Sequence, residues 1–147
     1  TSTIRQLIRK SGKVDMVVVD YLQLLSDLPL KGEMRSSHVG RITKELRAIG
    51  GEYGIPMVVP CQINREGQKL MKPSLSSLRE SGDIENTADI ALLLHREDKS
   101  SKNLEVIVGK NRLGKADISL YFEMDPTTSH IKESNRPKEI VQSPFNL

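Results

Sequence analysis

Tryptophan is absent from this 147-residue sequence, and tyrosine and phenylalanine contribute only five residues between them. So few aromatics argue against a base-stacking platform, and any nucleic-acid binding would rest on phosphate contacts. The single cysteine, Cys61, excludes an internal disulfide and fits a reducing compartment. It follows Val58-Val59-Pro60 and reads as a small buried residue rather than a reactive thiol. His38, His95 and His130 show no metal-ligand spacing with one another or with Cys61, so no zinc site is expected. A signal peptide and a run of roughly 18 apolar residues are both missing, which makes cytoplasm the expectation and a membrane role not. The formal net charge of +3 permits a basic groove without announcing one.

What is present fits one compact domain with a core, although an apolar fraction of 37% leaves room for partner-binding surfaces. The most informative stretch runs from Val14 to Leu25. Met16-Val17-Val18-Val19 forms an unbroken apolar run that ends in Asp20. That pattern predicts a strand buried on both faces, of the kind found in parallel α/β sheets, where ligands collect at the carboxyl ends. A carboxylate there is costly to bury without a positive partner. Hydrated Mg²⁺ on a triphosphate is one such partner; a capped turn or helix is the alternative.

Thr1 to Lys10 predicts a short amphipathic helix with Ile4, Leu7 and Ile8 on one face. Ser36 or Ser37 is positioned to cap a longer helix carrying Val39, Ile42, Leu46 and Ile49 at helical spacing, with Gly50-Gly51 loosening its end. Gly54-Ile55-Pro56 then turns into a second apolar strand, Met57 to Cys61. The order strand, helix, strand implies a right-handed crossover and parallel pairing. Asn64 to Pro73 is polar and unpatterned, as functional or disordered loops are. Ser76 to Ser81 suits a helical turn, and Asp83 can cap another ending near Thr87. Ile90 to Leu94 reads as a third buried strand, while Leu104–Val108 and Ile118–Phe122 suggest an antiparallel hairpin. Beyond Asp125-Pro126 the apolar signal fades. We expect a domain over residues 1–125 and a mobile tail or partner-binding arm over 126–147.

Four segments carry chemistry. Asp20 ends its strand, where an acid can hold Mg²⁺ through the ion's water shell. Gln62 lies at the matching end of the next strand, where an amide can sense a terminal phosphate; satisfying loop backbone groups is its bland alternative. In Leu78-Arg79-Glu80-Ser81-Gly82-Asp83, Gly82 permits a close backbone approach and Arg79 offers a donor fork suited to phosphate. A solvated turn is the competing reading. Lys110 and Arg112, in Gly109-Lys110-Asn111-Arg112-Leu113-Gly114, stand one residue apart, on one side if strand geometry persists. Paired exposed cations contribute little to stability, so a neighbouring subunit's triphosphate or a nucleic-acid phosphate is a better destination.

Val18-Val19-Asp20-Tyr21-Leu22-Gln23-Leu24, Cys61-Gln62-Ile63-Asn64-Arg65, the Arg79-Glu80-Ser81-Gly82 segment and Gly109–Gly114, in that order, resemble the replicative DNA helicases of the DnaB family. The likeness covers roughly residues 14 to 123, with Cys61 standing where the family usually has Ser. It implies a RecA-like, P-loop NTPase type α/β fold: a mainly parallel sheet flanked by helices, with a carboxyl-terminal antiparallel hairpin. It also implies a hexameric ring that unwinds duplex DNA by translocating 5′ to 3′ on single-stranded DNA, driven by ATP with Mg²⁺. By the same resemblance, Asp20 is the Walker B acid and Gln62 links phosphate state to DNA-facing loops. Arg79, Glu80 and Gly82 hold the DNA backbone, and Lys110 and Arg112 enter the adjacent subunit's ATP site. Primase and a helicase loader are the further partners it implies.

A Gly-x-x-x-x-Gly-Lys-Ser/Thr phosphate loop does not occur in the sequence. In the family it lies upstream of the matched segment, as does the water-polarising glutamate. The expectation is therefore a fold incomplete at its amino-terminal side, whose exposed apolar edge predicts aggregation or completion by another chain, and a segment that alone neither binds ATP tightly nor hydrolyses it. Two readings compete with the helicase: another RecA-like motor, and a non-catalytic helicase-like protein that joins an intact ring.

Overall fold

The protein is described here from a computed structural model covering residues 1–25, 31–63, 72–78, 82–134 and 139–140. It divides into two compact units, residues 1–64 with 78–87, and residues 65–77 with 88–147.

In the first unit, α1 (Ser2–Ser11) buries Ile8, and its basic residues reach the end of the next helix. Arg5 Nε donates to Glu52 Oε2 at 2.8 Å and Arg9 Nε to Tyr53 Oη at 2.9 Å. Strand β1 (Val17–Val18) pairs in parallel with β2 (Met57–Val58), as the strand-helix-strand order predicts. Between them runs α2 (Arg35–Tyr53), whose periodic stripe Val39, Ile42, Leu46 and Ile49 is buried. The helix starts earlier than expected: Met34 precedes it, and neither Ser36 nor Ser37 caps it. It also ends later. Gly50 and Gly51 lie inside α2, and Gly54, at φ 65, closes it by donating its N–H to Gly50 O. A left-handed residue at this position favours glycine, so Gly54 rather than the Gly pair is the stop signal. Gly50 serves packing instead, because a Cβ there would stand 3.0 Å from both Ile55 O and Met57 Cγ. The short α3 (Gly82–Thr87) packs on α2.

In the second unit, β3 (Ile90–His95), β4 (Asn103–Asn111) and β5 (Ile118–Met124) form an antiparallel sheet. β6 (Ile131–Glu133) and β7 (Glu139–Ile140) both pair with β5. The β4–β5 hairpin is the one expected from the sequence. Ala91 faces Lys110 while Leu92 faces Val108, so Gly109 is an extra residue that bulges β4 just before Lys110. A side chain at 109 would press on Leu75 Cδ2 at 3.1 Å and Leu93 Cδ1 at 3.2 Å. On this sheet the buried Glu105 accepts from Ser119 Oγ at 2.6 Å and pairs with Lys72 Nζ at 2.9 Å.

Two expectations are corrected. The strands are not buried on both faces: Met16 and Val18 are more than half exposed, as are Ile90, Leu92 and Leu94, whereas Ala91 and Leu93 are buried. A run of branched apolar residues specifies extended backbone but not what covers each face. Nor is parallel pairing dominant among the described residues; it is confined to β1–β2, while the larger sheet is antiparallel.

Candidate functional site

The carboxyl end of the β1–β2 pair is where the first unit gathers its chemistry. Asp20 follows β1, exposed, with a cis peptide to Tyr21. Gln62 follows β2, also exposed. Backbone pairing carries on past both short strands. Val17 N donates to Pro56 O at 3.1 Å, Val19 N to Val58 O at 2.9 Å, and Leu22 N to Pro60 O at 2.9 Å. The chain then winds into a 3₁₀ turn at Leu22–Leu24, and its backbone leaves the ladder. A side chain takes the next place: Gln23 Nε2 donates to Gln62 O at 3.1 Å, and Gln62 N donates to Gln23 Oε1 at 3.2 Å. Acceptors at 56, 58, 60 and 62 thus all face one edge, and β2 stays extended well beyond its two regular residues.

Asp20 has the right chemistry for Mg²⁺, which keeps much of its water and is commonly held by one or two carboxylates with substrate phosphates. Among the described residues no group of three or more His, Cys, Asp or Glu side chains could form a protein-only cage. Cys61, which precedes Gln62 in the chain, is a half-buried free thiol. Burial pushes its titration up, which favours the unreactive thiol over thiolate.

The cationic pair belongs to the second unit. Lys110 lies within β4 beside the Gly109 bulge, and Arg112 immediately follows that strand. Arg112 Nη1 meets Asp89 Oδ1 at 3.1 Å, and its backbone N donates to Asp89 O at 2.9 Å. Sequence reasoning missed both Asp89 and Gln23, since each acts on a residue far away in the chain. Of the expected DNA-contacting residues, Arg79 and Glu80 lie outside the described residues, while the Gly82 backbone begins α3. The structure thus brings Asp20 and Gln62 to one sheet end, and Lys110 and Arg112 to one strand end.

A cleft of about 510 Å³ along α2 and α3 is lined by Ser37, Arg41, Lys44, Glu45, Ala48 and Asp83, and includes neither Asp20 nor Gln62. Its cations are committed, Arg41 to Glu33 and Glu45, and Lys44 to Asp83.

Comparison with known proteins gives this geometry a context. Residues 1–131 match the family described as DnaB-like helicase C terminal domain. A probable plasmid replicative DNA helicase of Chlamydia trachomatis is 40% identical over 126 residues, covering 84% of this chain and 27% of that protein. The replicative DNA helicase DnaB of Geobacillus stearothermophilus is 37% identical over 118 residues, covering 75% of this chain and 26% of that one. The chain therefore spans about a quarter of the length of these relatives. Among solved structures, the ATPase domain of the protein G40P superposes with a TM-score of 0.77 at 30% identity, covering 91% of this chain and 50% of that one. A DnaB-like replicative helicase, solved in a study of its interactions with primase, gives 0.70 at 33% identity over 84% of this chain and 32% of its own.

Proposed function

The chain belongs to the DnaB-like helicase C-terminal domain family, and from that membership we propose that it is part of the ATP-driven motor of a replicative DNA helicase. In this reading the intact protein forms a hexameric ring in the cytoplasm, hydrolyses ATP with Mg²⁺, and unwinds duplex DNA by moving along a single strand. The observation that best supports it is the placement of Asp20 and Gln62 at the carboxyl ends of adjacent parallel strands. Nucleotides bind there in open α/β sheets.

Each residue then has a task. Asp20 holds Mg²⁺ through its water shell, and the ion neutralises charge on the phosphate oxygens. Gln62 relays whether the terminal phosphate is present to the loop that follows it. Arg79, Glu80 and Gly82 hold the backbone of the single strand. Lys110 and Arg112 reach the triphosphate of the adjacent subunit, where a trans arginine raises hydrolysis by roughly 10³- to 10⁵-fold. In this reading the segment alone, which carries no Gly-x-x-x-x-Gly-Lys-Ser/Thr loop, is inactive. Residues 1–125 constitute the motor portion, and within 126–147 β6 and β7 add to the sheet of the second unit by pairing with β5. Primase and a loader are the proposed protein partners.

The test is ATP turnover, with and without single-stranded DNA, by residues 1–147 and by an upstream-extended polypeptide. The extended form should hydrolyse ATP and be stimulated by DNA, and Asp20→Asn should abolish turnover. An extended form with unchanged turnover after Asp20→Asn would remove Asp20 from the metal site.

A further inference from the structure

Gln23 has no part in the functional assignments above, yet it makes a reciprocal contact with one of their central residues. Its side-chain amide has the same donor and acceptor as a peptide group. It presents both to the backbone of Gln62, 39 positions away, at 3.1 and 3.2 Å. The contact falls where the main-chain ladder between the two segments runs out, after Leu22 N to Pro60 O. Pro60 lacks an N–H, so the ladder is weak at this point and Gln62 N is its next available donor. Either an alanine or an acid at position 23 would leave the Gln62 main chain without this two-point hold.

We propose that Gln23 is a positioning residue: its amide extends the β1–β2 ladder by one rung and locks the Gln62 main chain in register with the strand that ends at Asp20. The Gln62 side chain is then left to respond to phosphate, since among the described residues none of its side-chain atoms is tied up by the clamp. Movement of that side chain is passed into the following loop, because the backbone behind it does not yield. This inference rests on the proposed role of Gln62 as the phosphate-responsive residue.

The test uses the longest natural polypeptide that carries this sequence, in its assembled form. Gln23→Met keeps the length and volume of the side chain and removes both hydrogen bonds. Gln23→Glu keeps the acceptor and sets a carboxylate against the Gln62 carbonyl. Both variants should lower the ratio of DNA-stimulated to basal ATP turnover by about tenfold, the scale of one to two ordinary hydrogen bonds, with little change in KM for ATP. Hydrogen exchange at the Gln62 amide should quicken in Gln23→Met. Unchanged exchange there overturns the clamp itself, whatever Gln62 does. A Gln23→Met protein that keeps the stimulation ratio, beside a Gln62→Ala protein that loses it, shows that Gln23 only fills space. Should Gln62→Ala keep the ratio while exchange still quickens in Gln23→Met, the clamp stands and the reading of Gln62 fails, and the coupling role inferred for Gln23 fails with it.

Discussion

Gly40 of α2 and Asp83 of α3 approach so closely that no side chain fits at position 40. A Cβ there would run into the Asp83 carboxylate and stand 2.9 Å from both its Cβ and its Cγ. More than the flexible tip of Asp83 would therefore have to move, and Asp83 is also paired with Lys44 at 2.9 Å. Gly40→Ala should destabilise the protein by about 1 to 3 kcal/mol from overpacking, net of the ~1 kcal/mol that alanine contributes to helix propensity. Thermal unfolding of Gly40→Ala, Asp83→Ala and the double variant checks this. Partial relief in the double variant is the expected result, because alanine at 83 removes the carboxyl group but keeps the Cβ; simple additivity would place the strain elsewhere.

Glu105 provides a pH dependence. Burial works to raise its titration, but the Ser119 hydroxyl and the Lys72 ammonium outweigh that and hold the carboxyl below the usual range. A depressed folded value means that the stability from this group is complete above the ordinary carboxylate range. It is lost as pH falls through the lowered value. Ser119→Ala should cost about 1 to 3 kcal/mol at neutral pH and shift acid unfolding to higher pH. Tm measured from neutral pH down to about 3 reads both effects; identical acid limbs for variant and parent would count against the bond.

Arg112 and Asp89 form an ion pair with 42% and 55% of their side chains exposed. Such pairs contribute roughly 0 to 1 kcal/mol, so Asp89→Ala should barely alter Tm. Arg112→Ala should lower ATP turnover even in rings that mix it with intact subunits. If intact neighbours mask the loss at every mixing ratio, the trans role is wrong.

Arg79→Ala should weaken single-stranded DNA binding and reduce the salt slope by roughly 0.7 for one lost phosphate contact. Binding titrations at several salt concentrations measure this. An unaltered slope would remove Arg79 from the phosphate contacts.

The legible parts of the chain were those in which neighbours along the sequence decide the outcome. The α2 stripe of Val39, Ile42, Leu46 and Ile49 repeats at the helical period and is buried as that period requires. Leu104–Val108 and Ile118–Phe122 pair as an antiparallel hairpin across a broad connection, as consecutive extended segments tend to do. Family membership was legible too, because four short strings in order identify it. Less was legible at the ends of elements. Gly50-Gly51 resembles a helix stop, but Gly50 is small because β2 passes close to it, and only coordinates reveal that approach.

By itself, then, the sequence determined which residues carry charge and amide groups, which segments are extended or helical, and to which family they belong. The tertiary structure alone decided which of those groups meet. Gln23 to Gln62, Asp89 to Arg112, and Lys72 to Glu105 are contacts across 39, 23 and 33 positions. No local periodicity encodes them, because they depend on how strands are placed in register and where the backbone turns away from its ladder.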